Sequence, residues 1–305
     1  MHPVVPREMA ARDTREHLAD ALALVADCEA KDASALAELL YAGWYARPRD
    51  PFALPRGCPP DLVETLRAAH VGFRQWEGGW QVEHVGARGQ AVVKHGVEVR
   101  LVERSDYSPS ERPGLLPQPG DHVSVTCRRD RVDPADGWWR TAERSWSWVS
   151  PPAHLVRLYL NVELIELPAL VERLTALLAT EDEPWLLKCA VDPRAHARAD
   201  ATVAYLTPVA VERRSSQLVE LTRLAGAYAR TDRPPLTMPV VPGLAVAVDP
   251  GPDESFGVQR CRLIAEAAVG PEASIEAVLE RFARDGIDAA RPWARRDDPQ
   301  LPWER

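Results

Sequence analysis

Lys188 is the side chain whose surroundings most favour chemistry. It lies in WLLKCAV, which has the composition of a buried strand, and its neighbours on both faces of that strand are apolar. A desolvated lysine amine can act as a general base, which an arginine cannot. Two structural roles stay open for Lys188: an aliphatic stem buried with the amine in solvent, and a structural ion pair.

A second candidate is the segment DESFGVQRCRLIAEA. Ser255 can cap a helix whose first turn contains Gly257 and presents backbone N–H groups to an anion. Arg260, in the second turn, could join this phosphate site. We include Arg262 among the candidate phosphate ligands, although its side chain lies about 200° around the helix from that of Arg260. Arg262 could instead pair with Glu266, four residues later. An ordinary capped helix is the alternative interpretation.

Polar residues on two further segments could line a cleft. In VRLYLNV they alternate and therefore share one face of a strand: Arg157, Tyr159 and Asn161. The segment RADATVAYL supplies Arg198 and Asp200, which could face one way and pair, with Tyr205 further along the same strand. A solvated sheet face is the alternative interpretation of the first segment.

Four of the ten tryptophans are concentrated in DGWWRTAERSWSWVSPP: Trp138, Trp139, Trp146 and Trp148. This aromatic area predicts an interdomain seam, with a peptide-binding wall as the alternative. The double proline that follows predicts a boundary between an N-terminal region, residues 1–150, and a C-terminal domain, residues 151–305.

Hydrophobic periodicity predicts the elements that position these residues. About the first 70 residues have the three-to-four spacing of amphipathic helices, and the stretch from WQVEHV to HVSVTCRR alternates as short antiparallel strands do. From His154 onward the order is β-α-β-β-α-β-α. The sequence therefore predicts an α+β protein, with a helical and small antiparallel β part followed by a mixed α+β domain.

Composition and missing motifs exclude several classes. The formal charge of −8 and the lack of a basic arm argue against general nucleic-acid binding. Neither a signal peptide nor a membrane span is recognisable, and five cysteines without close pairs indicate reduced thiols, so we expect a cytoplasmic protein.

The β region has three histidines without metal-ligand spacing, which argues against zinc: His84, His95 and His122. Motifs for dinucleotide binding, P-loop phosphoryl transfer, zincins and α/β-hydrolases are missing.

The chain resembles the HopA-type effector family. VRLYLNV, LLKCAVDP, RADATVAYL, and above all VPGLAVAVDPGPDESFGVQRCRLIAEA followed by GIDAARPW carry the resemblance. N-terminal features follow the family's order too: LLYAGWY, GGWQVE, GQAVVKHGVEVRLV and DGWWR. The resemblance extends from about Leu39 to Trp293.

The resemblance implies a lyase-like C-terminal domain. Actinobacterial relatives resemble phosphothreonine lyases in the biosynthesis of ribosomal peptides such as class V lanthipeptides and thioamitides. There an aminoglycoside-phosphotransferase-like kinase phosphorylates Ser or Thr of a precursor peptide, and the lyase eliminates phosphate to give dehydroalanine or dehydrobutyrine. The expected partners are therefore this kinase and a precursor peptide with its leader. No metal or organic cofactor is required.

Under this resemblance each candidate residue has a role. Lys188 is the base, or a cation that stabilises an enolate-like intermediate, and Arg260 with the helix start at Ser255 and Gly257 holds the phosphate. Three residues orient the peptide or protonate the leaving oxygen, namely Tyr159, Asn161 and Tyr205. Arg198 and Asp200 support the site.

One position departs from the family pattern. Relatives often have lysine after the threonine of the segment LTMPVVPG, whereas Met238 follows Thr237 here. Loss of a cation beside a phosphate site leaves a second hypothesis open, a non-catalytic subunit that binds the precursor peptide or stabilises the kinase.

Overall fold

The fold was analysed in a computed structural model. The structure describes residues 7–28, 32–47, 57–72, 74–109, 115–133, 135–143, 145–180, 183–269 and 273–305. The chain divides into two compact units, one formed by Met1–His70 with Arg131–Arg305 and the other by Val71–Asp130. The boundary predicted after residue 150 falls inside the first unit, where strands on both sides of it share a sheet.

Seven α-helices lie in the described residues: α1 (Arg7–Ala26), α2 (Ala33–Leu40), α3 (Leu62–Ala69), α4 (Leu167–Leu178), α5 (Pro208–Leu224), α6 (Phe256–Ala268) and α7 (Ile275–Arg284). The strands of the larger unit are β6 (Asp130–Asp133), β7 (Trp138–Ala142), β8 (Val156–Leu160), β9 (Trp185–Ala190), β10 (Thr202–Leu206), β11 (Met238–Val241), β12 (Leu244–Val248), β13 (Ile287–Asp288) and β14 (Arg291–Arg295). Those of the smaller unit are β1 (Arg74–Val85), β2 (Ala91–His95), β3 (Glu98–Val102), β4 (Tyr107–Pro109) and β5 (His122–Arg128).

A seven-stranded sheet is the centre of the larger unit, in the order β11-β12-β8-β10-β9-β7-β6. The pairs from β11 to β7 are antiparallel. β8, β10 and β12 are buried along their whole length, and in β8 this burial includes the side chain of Arg157. The observed α+β architecture confirms the predicted fold class.

Helices cover both faces of this sheet. On one face, Trp185 donates its indole N–H to the Leu178 carbonyl of α4, and His70 after α3 stacks on the same tryptophan ring. On the other face, the π-helical turn Tyr41–Tyr45 after α2 packs against α6. The sheet is therefore the middle layer of three, and its two faces have different neighbours.

Helix starts follow the capping residues of the sequence. Asp32 accepts a hydrogen bond from Ala35 N–H at α2, and Ser255 accepts one from Val258 N–H at α6. The cap predicted at Ser255 is confirmed. None of the described helices is both long and apolar enough to cross a bilayer.

Gly257 gives the first turn of α6 its close approach to the Tyr45 ring. A Cβ at this position would lie 2.3 Å from Cε1 of Tyr45. We expect Gly257→Ala to lower the free energy of unfolding by about 1–3 kcal/mol, because overpacking outweighs the better helix propensity of alanine. Urea denaturation measures this. Val258→Ala in the same turn, where the side chain is exposed, is the matched control, and an equal effect of both changes would contradict the explanation.

The smaller unit is a five-stranded antiparallel sheet in the order β3-β2-β1-β5-β4. It has its own apolar core, which includes Trp80, Val93 and Val125. The antiparallel β region predicted from alternation is therefore present.

Candidate functional site

The register of the sheet brings predicted site residues onto one face. Lys188 lies opposite Val203, and Val203 lies opposite Tyr159. Arg140 of β7 is opposite Lys188 on its other side. Because directly opposite residues of antiparallel strands point to the same side, these side chains share one face, which we call the site face.

Tyr205 lies between two cations of the site face. The Arg157 guanidinium is 5.0 Å from the centroid of its ring, and Lys188 Nζ is 5.6 Å from it. Lys188 Nζ also lies 4.3 Å from the centroid of the Trp138 ring. These cation–π contacts fix the half-buried amine between two aromatic rings. Among the residues that the structure describes, no carboxylate forms an ion pair with Lys188.

Arg157 is held by a buried ion pair at the end of β12. Its Nε donates to Asp249 at 2.6 Å, and the side chains of both partners are at most 9% exposed. Burial opposes the charge, yet the neighbouring Tyr205, Tyr159 and Asp249 raise the pKa of Arg157 above its ordinary value. Arg157 therefore stays cationic on the site face.

Arg198 and Asp200 pair as the sequence predicts. Two guanidinium N–H groups of Arg198 donate to the two carboxylate oxygens of Asp200, at 2.8 and 2.7 Å. Both residues precede β10 instead of lying within it. The Tyr41 hydroxyl makes a further hydrogen bond with Arg198, so this pair adjoins the N-terminal helices.

Tyr41 and Tyr45 reach the site face from the π-helical turn. Their rings stack with centroids 5.6 Å apart, and the buried Tyr45 hydroxyl donates to the Tyr159 hydroxyl at 2.8 Å. Burial raises the pKa of Tyr159 and outweighs the Arg157 charge and the Tyr45 hydrogen bond, which both lower it, so the Tyr159 hydroxyl stays protonated at neutral pH. We call these eight residues the Lys188 cluster: Tyr41, Tyr45, Arg157, Tyr159, Lys188, Arg198, Asp200 and Tyr205.

The Tyr45–Tyr159 hydrogen bond should contribute measurably to stability. Tyr45→Phe removes the donor and leaves the Tyr159 oxygen buried, so we expect the free energy of unfolding to fall by about 1–3 kcal/mol. Chemical denaturation measures the change. Tyr228→Phe, at an exposed ring, should change it by less than about 0.5 kcal/mol. Equal stability of Tyr45→Phe and the wild type would show that this bond is not stabilising.

Two other predicted phosphate ligands, Arg260 and Gly257, are enclosed by protein. Arg260 is 2% exposed, and its guanidinium donates to the Pro292 carbonyl at 3.0 and 2.9 Å and stacks on the Phe256 ring. Burial lowers the pKa of Arg260 to about 10. Gly257 is covered by Tyr45. The helix start that was predicted to cradle an anion is therefore packed against protein, and we give Arg260 a structural role.

Arg262 and Asn161 also have protein partners outside the Lys188 cluster. Arg262 pairs with Glu254 and, as the spacing predicts, with Glu266. The Asn161 amide donates to the Asp232 backbone carbonyl at 2.9 Å, at the edge of a cavity of about 300 Å³ that Tyr159 also lines.

Met238 lies on the opposite side of the sheet. Met238 is 1% exposed and lies opposite Val246, and Val246 lies opposite Leu158. Leu158 is adjacent to Tyr159 along β8, so the side chains of Leu158, Val246 and Met238 point away from the site face. The departure from the family pattern at Met238 therefore removes no cation from the site face.

Comparison with known proteins places the C-terminal half in a family. Residues 143–294 match the HopA1 effector protein family. This region belongs to that family. No curated protein matches the chain.

Two solved structures share the fold of the chain. The effector protein from Pseudomonas syringae pv. tomato strain DC3000 aligns with a TM-score of 0.57 at 13% identity, covering 94% of this chain and 98% of that chain. The effector protein from Pseudomonas syringae pv. syringae strain 61 aligns with a TM-score of 0.55 at 13% identity, covering 95% and 98%. At this identity the similarity establishes the fold alone.

The HopA1-family region holds six of the eight residues of the Lys188 cluster. Tyr41 and Tyr45 precede it and were not predicted as site residues, because a helical aromatic pair gives no indication of the strand it will contact. Asp249 was missed as well, although it directly follows β12. The signal for Tyr41 and Tyr45 was their i,i+4 spacing at a helix end, which puts both rings on one side.

Proposed function

We propose that this protein is a lyase that eliminates phosphate from phosphoserine or phosphothreonine of a peptide. The observation that carries the proposal is the position of Lys188. Its amine lies beside the Tyr205 ring, among arginines and tyrosine hydroxyls on one sheet face. Elimination needs a base at Cα and cations near the departing phosphate, and this face offers both.

The reaction requires one base and one proton donor. Lys188 Nζ takes the Cα proton, and the electron pair of that C–H bond forms the Cα=Cβ double bond. The Cβ–O bond then breaks, and its electrons leave with the bridging oxygen. A tyrosine hydroxyl, from Tyr205 or Tyr159, donates a proton to that oxygen, so the products are the dehydroamino acid and hydrogen phosphate.

Arg198 is the candidate phosphate ligand of the cluster. Its side chain is 25% exposed, whereas that of its partner Asp200 is 7% exposed. A guanidinium has five N–H donors, of which Asp200 accepts two and the Tyr41 hydroxyl accepts a third. The remaining donors can bind phosphate oxygens, with Asp200 holding the plane of the guanidinium in place.

The substrate is a precursor peptide with a leader, and the phosphate is installed by an aminoglycoside-phosphotransferase-like kinase. Membership of residues 143–294 in the HopA1 effector protein family supports this assignment, because the resemblance that implies these partners lies largely in the same region. The reaction proceeds without a metal or an organic cofactor.

The test is incubation of the purified protein with a synthetic phosphothreonine peptide. Elimination releases inorganic phosphate and lowers the peptide mass by about 98 Da, the mass of phosphoric acid, and leaves an alkene. Hydrolysis would leave threonine, at a loss of about 80 Da, and would contradict a lyase. A peptide that stays intact under all conditions would also contradict it.

A non-catalytic peptide-binding or kinase-stabilising subunit is the second candidate. Trp148 is 36% exposed beside a cavity of about 540 Å³, and exposed aromatic area of this kind binds peptides. In this case the phosphopeptide would co-purify with the protein unchanged.

A further inference from the structure

A cavity of about 540 Å³ lies next to Lys188 on the site face. The lining residues that matter are Arg131, Asp136, Arg140, Trp146, Trp148 and Leu186. Arg140 is directly opposite Lys188 in the β7–β9 pair, and Leu186 precedes Lys188 by two residues on the same strand. Arg140 and Leu186 both point to the site face. The cavity wall therefore reaches β7, the strand next to that of Lys188, and neighbouring strands are roughly 4.8 Å apart.

One positive charge of the cavity is not neutralised by a neighbour. Arg140 pairs with Asp136 through two hydrogen bonds, and that pairing lowers the pKa of Asp136. The Arg131 guanidinium instead lies 4.4 Å from the centroid of the Trp148 ring. Within the described ranges, no carboxylate forms an ion pair with Arg131. An arginine that stacks on an aromatic ring keeps its N–H edge available for a carboxylate.

The aromatic wall is held in position by its own loop. Trp146 is 7% exposed, and its backbone N–H donates to the Glu143 carbonyl. The Ser147 hydroxyl accepts a hydrogen bond from Ser150 N–H, just before Pro151. The wall is therefore formed before a ligand arrives, which reduces the entropy lost on binding.

We infer that this cavity binds an acidic side chain of the substrate peptide, one or two residues from the phosphorylated residue. This rests on the proposed function. Arg131 lies on β6, two strands from β9, and two strand spacings amount to roughly 9.6 Å. An extended peptide advances about 3.3 Å per residue, so a residue two positions from the phosphorylated one covers roughly 6.6 Å when the phosphorylated residue is at Lys188. The long side chains of Arg131 and of the peptide residue span the remaining distance. The carboxylate of Asp or Glu would pair with Arg131, while its methylene groups contact Trp146 and Trp148. The cavity thereby selects which Ser or Thr is processed.

The experiment compares two sets of phosphothreonine peptides that differ only in Glu or Gln at the positions −2, −1, +1 and +2. Both kcat/KM for phosphate release and Kd are measured. For the wild type we expect at least one Glu peptide to have a kcat/KM about tenfold higher than that of the matching Gln peptide, because its KM is lower. Its Kd should be lower by a similar factor. Arg131→Gln should abolish this difference and leave the Gln peptides unchanged. Arg131→Lys should keep part of it, and Arg284→Gln, at the exposed end of α7, should keep all of it.

The possible results separate this inference from the proposed function. Equal constants for Glu and Gln peptides at all four positions would overturn the acidic subsite while phosphate release continues. If Arg131→Gln lowered kcat/KM equally for the Glu and Gln peptides, the acidic subsite would be overturned too, because Arg131 would then contact the phosphate. Binding that prefers Glu without any phosphate release would overturn the lyase but support the subsite. No binding of any peptide would overturn both.

Discussion

Lys188→Ala is expected to reduce the turnover of a phosphothreonine peptide by a factor of about 100 to 10,000, the range that a general base contributes. The amine of Lys188 has the Tyr205 and Trp138 rings as neighbours. Phosphate release under saturating peptide measures the effect. Circular dichroism and thermal melting of the variant confirm that it is folded.

Lys188→Arg separates the two roles of this residue. An arginine keeps the positive charge but does not accept a proton at neutral pH, so we expect it to be as inactive as the alanine variant. Substantial turnover by Lys188→Arg would instead identify Lys188 as a cation that stabilises the intermediate. Lys94→Ala, at an exposed strand position of the smaller unit, is the matched control. Wild-type turnover by Lys188→Ala would show that the base assignment is wrong.

Arg157→Met is expected to lower the free energy of unfolding by about 3–5 kcal/mol, because it leaves the buried carboxylate of Asp249 without its partner. Urea denaturation at neutral pH measures the loss. The double variant Arg157→Met with Asp249→Leu removes both charges, and we expect it to recover most of the stability.

The exposed pair Arg15–Glu276 is the control for this experiment. Its side chains are 50% and 69% exposed, so Arg15→Met should change stability by less than about 1 kcal/mol. A double variant as unstable as Arg157→Met would show that packing rather than charge explains the loss. The Arg157 variant also tests the site, because the guanidinium contacts the Tyr205 ring.

Local pattern was sufficient to predict most of the elements. Apolar spacing predicts α4 and α5, and short apolar runs predict β9 and β12, with ends that agree to within a few residues. The sequence prediction lacked α7, although Ser274 caps it, and also β11, β13 and β14. Short strands leave too few residues for a period to be recognised, which explains the last three.

The candidate site depends on pairings that no local pattern contains. Alternation places Lys188 on one face of its strand, but only the order β8-β10-β9 brings that face beside Tyr159 and Tyr205. The same limit explains why the sequence does not predict the burial of Arg260. The sequence identifies the cap at Ser255, yet the burial of Arg260 depends on Pro292, which is 32 residues away along the chain.

The N-terminal helices have their packing partners near the other end of the chain. α1 contacts α7 and β14, α2 contacts α6, and the Thr14 hydroxyl donates to the Ala289 carbonyl. At ribosomal speeds of roughly 5–20 residues per second, α1 emerges on the order of 10 s before these partners are synthesised. The side chains of α1 that pack against α7 and β14 are uncovered during that time. The larger unit therefore completes its folding only once these late elements have been synthesised.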